Sequence, residues 1–357
     1  MLSLEQRIAA FEKLGRFLSQ YKEARTDEDL QKLNQFFLKE YHTVIKDAEL
    51  FNHWFSEDNL HFALDQWSQA LSEEQLQAWV IDYDEDFFRP QTEAKTVAII
   101  MAGNIPLVGL HDLISVLISG HKALIKPSSD DAKLIPFVLQ MLVAIEKDFA
   151  HYLSIAENKM ENFDAVIATG SNNSSRYFDH YFGKYPHIIR KNRSSVAILE
   201  GDESDEELRA FGEDIFRYFG LGCRNVSKAY VPKDFDIQRL FEAFFPFKSV
   251  GDNNKYGNNY DYNRAIFLME HIDFLENGFF IIKEDKALHA PVSVLNIERY
   301  EDISLVSKDL EQYHDDLQCV VSKSDILDTA VPFGESQKPR LWDYADNVDT
   351  LDFLQRL

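Results

Sequence analysis

The chain has 357 residues, a formal net charge of -23 and a hydrophobic share of 45%, with 28 phenylalanines. A chain of this size and apolar content is expected to bury more than one core, which excludes a disordered protein. So acidic a balance argues against a nucleic-acid partner and an anionic membrane surface, both of which need clustered Lys and Arg. The 2 cysteines cannot build a disulfide framework, and no CxxC, HExxH or other grouping of the 11 scattered histidines points to a metal site.

The opening MLSLEQRIAAFEKLGRF lacks the basic-then-apolar pattern of a secretion signal. It predicts an amphipathic helix, with Ser3 and Gln6 as a capping box and Leu4, Ile8, Phe11, Leu14 and Leu18 on one face. Leu30, Leu33, Phe37 and Tyr41 repeat that spacing. Ser56 is the expected cap of a helix carrying Leu60, Leu64, Trp67 and Leu71, and Ser72 with Gln75 opens another around Leu76 and Trp79.

The texture changes after Pro90. TVAIIMAGNIP reads as a buried strand running into a turn, and LVGLHDLISVLISG as a helix stopping at Gly120. Asn104, Pro106, His111 and Asp112 interrupt this apolar region, so no membrane span is expected and a cytoplasmic protein is the default. KALIKPSS is a second strand, followed by the helix DAKLIPFVLQMLVAIEKDF. FDAVIATGS is a third strand, followed by the helix NNSSRYFDHYFGKY. This alternation predicts an α/β fold with a parallel sheet, in which ligands bind beyond the carboxyl ends of the strands. Those ends carry Gly103-Asn104, Lys126-Pro127-Ser128 and Gly170-Ser171.

HIIRKNRSSVAILEGD predicts one more strand, and the rise in charge at DESDEELRA marks the expected boundary into a second α/β domain. Its first helix, EELRAFGEDIFRYFG, delivers Cys223 within RYFGLGCRNVSK. Further α and β signals follow in SKAYVPKD, NRAIFLME, GFFIIKED and APVSVLNIERY, with the Asn-rich GDNNKYGNNYDYN read as surface or as a substrate-side loop.

Each chemical motif also has a plain reading. Cys223 is a nucleophile on a loop or a small apolar residue, and Cys319 in LQCVVSK reads as core. Asn104, Lys126 and Gly170-Ser171 are site residues or ordinary turn and strand-end residues. Arg224 and Lys228 lie close enough in sequence to lower the Cys223 thiol pKa. The basic run Lys184, His187, Arg190, Lys191 and Arg193 either holds phosphates or is a solvated face.

GNIP, then KPS, then TGS, then a strand and a Gly-flanked Cys resemble the aldehyde dehydrogenase superfamily in order and spacing, over residues 95 to 335. Within it the chain is similar to the LuxC family of fatty acyl-CoA reductases, through its length, helical N-terminus, GNIP…KPS segment, NNYDYNRA and the ending GESQKPRLWDYADNVDTLDFL. The resemblance implies an aldehyde-dehydrogenase-like fold: a helical N-terminal segment over 1–90, a Rossmann-like NADP-binding domain over 91–200, a catalytic domain over 201–330 and a closing segment over 331–357. It implies Cys223 as nucleophile and Asn104 as oxyanion donor, with Gly103, Lys126, Pro127, Ser128, Ser129, Gly170 and Ser171 at the cofactor. It also implies reduction of a fatty acyl thioester, from acyl-CoA or an acylated protein, to an aldehyde.

Two departures from the superfamily pattern stand out. Arg190 takes the approximate place of the glutamate that activates water in hydrolytic members, and ALHAPV, with Ala287 and His289, lacks the glutamate that binds the nicotinamide ribose. Slow hydrolysis of the acyl-enzyme follows from the first. Ser129, three residues after Lys126, offers no charge against a 2′-phosphate, so NADPH is the expected cofactor, with Asp130 beside it. A CoA-independent aldehyde dehydrogenase and a non-catalytic acyl-binding subunit are the alternatives. The expected partners are the thioester donor, an acyl-protein synthetase and a second copy of the chain.

Overall fold

Ser3 caps the first helix, Leu4–Leu18, by accepting the Gln6 N–H at 3.3 Å while Gln6 accepts the Ser3 N–H at 2.9 Å. The structure is a computed structural model that describes residues 2–22, 27–90, 94–156, 159–170, 172–324 and 329–357. Ser56 and Ser72 cap the helices Glu57–Ala70 and Glu73–Val80 in the same manner. The apolar stripes of these helices bury Phe11, Leu14, Leu60, Leu64, Leu76 and Trp79 in one core with the strands that follow. Arg7 is a charged residue buried beside them. Its guanidinium is buried and donates to the carbonyls of Ile118 and Phe88, and burial lowers its pKa to about 10.

The chain divides into two units, Met1–Lys191 with Arg340–Leu357, and Asn192–Pro339. In the first, β1 (Thr96–Ile100), β2 (Lys122–Lys126), β3 (Leu153–Ile155), β4 (Ala165–Thr169) and β5 (His187–Arg190) form a parallel sheet in the order β3-β2-β1-β4-β5. This is the doubly wound arrangement, with its switch point between β1 and β4. The helix Leu110–Ile118 ends as the sequence predicts, with Gly120 at φ +84° just beyond it. The returning residues 340–357 belong to this unit, where Tyr344 Oη meets Trp79 Nε1 and Tyr83 Oη at 2.7 Å each.

The stretch HIIRKNRSSVAILEGD is two strands, not one. β5 ends at Arg190, and β6 (Ser194–Ile198) opens the second sheet after the polar break Lys191-Asn192-Arg193. The division therefore falls ahead of the acidic DESDEE, which is the capped start of the helix Asp205–Phe216. The second unit continues with β7 (Val226–Pro232), β8 (Leu275–Glu276), β9 (Ile281–Glu284), β10 (Val294–Tyr300) and β11 (Leu317–Val321), ordered β11-β6-β7-β10-β9-β8. All neighbours run parallel except β8 with β9.

The Asn-rich stretch is helix rather than loop. Asn253 caps Asn254–Met269 by accepting the N–H groups of Lys255 and Tyr256, and Tyr256, Tyr260, Asn263 and Phe267 recur on the buried side. Among the described residues no helix is long and apolar enough to cross a membrane.

Candidate active site

The sequence motifs of the first unit converge at the carboxyl ends of its strands. Met101, just past β1, donates its N–H to the Lys126 carbonyl at 3.1 Å, which ties the turn after β1 to the turn after β2. Gly103 fits only because it lacks a side chain: a Cβ there would lie 2.6 Å from Ser128 Oγ and 2.9 Å from Asp130 Cβ. The Gly103 carbonyl accepts from Asn52 Nδ2 at 3.1 Å, and the same amide group donates to the Asp130 carbonyl at 3.2 Å. Ser128 Oγ accepts the Asp130 N–H at 3.2 Å and caps the short 3-10 turn Ser129–Asp131.

Asp131 closes this end from beneath. It is buried and accepts the N–H of Leu107 at 3.2 Å and of Leu134 at 3.1 Å, and burial raises its carboxyl to about 6. Asn104 is exposed in the turn after β1. The left-handed residue there is Leu107, at φ +57°, so Asn104 is not required for the turn's backbone. Lys126 and Ser129 are exposed and Pro127 half-buried.

Gly170 follows β4, two positions ahead of the helix Asn172–Phe182; a Cβ there would sit 2.9 Å from both the Phe178 ring and Ser174 Cβ. Such close packing of helix on strand is what a glycine at a dinucleotide turn provides. Ser171 lies outside the described residues. Gly103 and Gly170 thus flank the switch point, and Lys126 stands on the next strand. These residues fit a nicotinamide dinucleotide by topology, close backbone approach and an exposed cation.

The basic run does not act as one patch. Arg190 is buried in the first unit, its Nη1 on both Asp112 oxygens at 2.6 and 2.5 Å and its Nη2 on Thr350 Oγ1 at 3.1 Å. Arg193 belongs to the second unit and donates to the Leu317 carbonyl at 3.0 Å. Lys184 sits over the Tyr185 ring, and His187 is exposed.

The second unit presents Cys223 on a loop whose backbone is fixed from several sides. After the helix Asp205–Phe216, three successive residues turn left-handed: Tyr218 at φ +54°, Phe219 at +58° and Gly220 at +77°. Two bulky residues in that region cost about 1–2 kcal/mol each, so the packing around them must over-determine the turn. Asn225 does much of this. Its Oδ1 accepts the Gly222 N–H at 2.8 Å, while Nδ2 donates to the carbonyls of Arg217, Asp214 and Ile215 at 2.8, 3.2 and 3.3 Å. One amide thereby satisfies carbonyls left open at the helix end and holds the residue ahead of the cysteine.

From the other side, Ser195 Oγ donates to the Cys223 carbonyl at 2.9 Å and lies 3.1 Å from Cys319 Sγ. The Cys223 thiol is half-buried and donates to Gln318 Oε1 at 3.8 Å. Cys319 is also half-buried, against the second core. Lys228 does not stand ready to activate the thiol. Its ammonium is buried, with Glu298 at 2.7 Å, the Lys286 carbonyl at 2.8 Å and the Tyr230 ring centroid at 4.5 Å. The sequence reading missed Asn225, Ser195, Gln318 and Asp214, which are common polar residues without a motif. The only local signal was Asn225 two places after the cysteine.

The family model of LuxC, described as acyl-CoA reductase, matches residues 2–239. Among curated proteins no sequence matches. Solved structures share the fold at low identity. Aldehyde dehydrogenase 21 from Physcomitrella patens, in complex with the reaction product succinate, is 12% identical over 99% of this chain and 88% of its own, with a TM-score of 0.62. The aldehyde dehydrogenase KauB from Pseudomonas aeruginosa is 14% identical over 89% and 76%, TM-score 0.57. An indole-3-acetaldehyde dehydrogenase complexed with NAD+ is 11% identical over 94% and 78%, TM-score 0.57. The α/β fold is therefore that of the aldehyde dehydrogenases, and the chain belongs to the LuxC family of acyl-CoA reductases, oxidoreductases that act on acyl or aldehyde groups.

Proposed function

We propose that the protein reduces a fatty acyl thioester to an aldehyde with NADPH, through an acyl group carried on Cys223. The observation that carries this reading is the cysteine loop: Asn225 and Ser195 fix the backbone on both sides of a half-buried thiol, in a chain of the acyl-CoA reductase family.

In the first half-reaction the Cys223 sulfur forms a bond to the acyl carbonyl carbon, and the thiol of the donor leaves. The two thioesters are close in energy, so binding rather than bond strength drives the exchange. The negative charge on the carbonyl oxygen needs fixed donors, a role that the resemblance gives to Asn104 and that the Cys223 N–H suits. A nicotinamide held there would supply a hydride to the acyl carbon. With a proton from solvent, Cys223 would then carry a thiohemiacetal, whose C–S bond breaks as its hydroxyl proton passes to the sulfur, releasing aldehyde and the free thiol. Gly103, Lys126, Pro127, Ser128, Ser129 and Gly170 are the residues proposed to hold that cofactor, together with Ser171. Arg190, at the approximate place of the water-activating glutamate, is engaged by Asp112 and Thr350, which supports slow loss of the acyl group to water.

Intact-protein mass spectrometry tests both halves. Acyl mass should appear on Cys223 after mixing with long-chain acyl-CoA and disappear on adding NADPH. An unmodified cysteine across several chain lengths defeats the reading. Rapid aldehyde oxidation without CoA favours the dehydrogenase alternative, and failure to bind NADPH by calorimetry favours the non-catalytic one.

A further inference from the structure

Gln318 sits where β11 slips by one residue against β6, since Leu317 pairs with Ser194 but Val320 pairs with Val196. An extra residue of this kind is a bulge, and bulges re-aim side chains next to active sites. A second slip lies alongside it, between Ser195 and Val196 in the pairing of β6 with β7. The two slips bring both bulged residues of β11 to the cysteine loop. Cys319 donates its N–H to Ser195 Oγ at 3.3 Å, and that hydroxyl donates to the Cys223 carbonyl; Gln318 Oε1 accepts from the Cys223 thiol itself. Gln318 is only 4% exposed. A buried amide is costly unless its hydrogen bonds are made, so its place beside the sulfur is a constraint of the fold.

We infer that Gln318 is a positioning residue for the nucleophile, holding the Cys223 sulfur in its attacking orientation and setting its hold on the proton. The inference rests on the reading of Cys223 as the acyl carrier. Glutamine suits the task because its neutral amide oxygen accepts without adding a charge beside the sulfur. The oxygen receives the S–H of the resting thiol and so favours the protonated form. A carboxylate in its place also accepts, and its charge repels the thiolate. A thioether is only a weak acceptor.

The test is the pH dependence of iodoacetamide alkylation at Cys223, followed by intact mass on the full chain without acyl donor or cofactor. Gln318→Glu is expected to raise the alkylation midpoint by about one pH unit or more, a tenfold loss of thiolate at a pH below both midpoints. Gln318→Met, similar in length and neutral, is expected to lower it by about half a unit, because the thiol loses its acceptor. In the Met variant the rate of acylation by acyl-CoA should fall about tenfold with the acyl-CoA KM little changed. Midpoints of both variants within 0.2 units of the parent, or a Met midpoint at or above it, overturn the inference. The Met variant decides the matter if the Glu variant does not fold. Should wild-type Cys223 alkylate yet take no acyl group, the functional reading fails, while the alkylation shifts still decide the role of Gln318.

Discussion

Asp214, in the helix ahead of the cysteine loop, accepts the main-chain N–H of Ser336 at 3.0 Å, and its other oxygen accepts that of Gly334 at 2.7 Å. One carboxylate thus clasps the 334–336 turn to the helix that leads into Cys223. Burial raises this carboxyl from 3.8 to about 6, against the opposite pull of the two N–H groups. Folding therefore favours its protonated form. As pH rises from about 4 to 6 the unfolded chain ionises first, so the contribution is full below the lower value and lost through the upper one, an effect of up to about 3 kcal/mol. Asp214→Asn should abolish that slope. Urea titrations at pH 4.5 and pH 7 check this; a variant that keeps the parental slope contradicts it.

The nucleotide end can be disturbed without touching the cysteine. Gly103→Ala places a methyl 2.6 Å from Ser128 Oγ, so the turn after Lys126 must move. The expected result is a rise of about tenfold or more in the KM for NADPH, with acylation of Cys223 unchanged by mass spectrometry. A parallel loss of acylation would mean that the substitution acts on the whole fold.

Cofactor choice is testable at the next residue along. Ser129 is exposed at the start of its 3-10 turn, and Ser129→Glu brings a carboxylate to a place where a 2′-phosphate is expected. The ratio of kcat/KM for NADPH over NADH should fall about tenfold or more, equivalent to about 1.4 kcal/mol. An unchanged ratio would move the 2′-phosphate away from this turn.

Arg190 and Asp112 form a pair whose breakage should be costly. Both side chains are almost wholly buried, at 7% and 4% exposure. Asp112→Ala leaves a guanidinium without its counter-charge and is expected to lower stability by about 3–5 kcal/mol, while Asp112→Leu with Arg190→Met should recover most of it. Denaturant midpoints of the single and double variants decide between a structural pair and a pair whose removal chiefly alters turnover.

Much of the first unit was legible because its signals are local. Ser3, Ser56 and Ser72 cap as their spacing predicts, the strands at 96–100, 122–126 and 165–169 are apolar runs ended by turn residues, and Gly120 stops its helix. The short strand Leu153–Ile155 gave no such signal, since three residues with two exposed carry no period. The break at Lys191-Asn192-Arg193 was hidden inside one apolar stretch, because strands of two different sheets look alike when each is buried. In the candidate site, the sequence order of motifs pointed to Gly103, Lys126, Gly170 and Cys223. It did not point to Gln318 or Ser195, whose approach depends on register slips, nor to the left-handed aromatics Tyr218 and Phe219, which no propensity favours.

The amide of Asn52 spans the carbonyls of Gly103 and Asp130 from outside the sheet altogether. The helical N-terminal portion is thus a keystone rather than an appendage: the two turns proposed to receive the dinucleotide are braced by a residue some fifty positions upstream of the first of them. A fragment begun at the first strand would keep every motif and lose that brace. In chimeras with other family members, the partner of choice is one whose N-terminal helices present an amide at this position, whatever else they share.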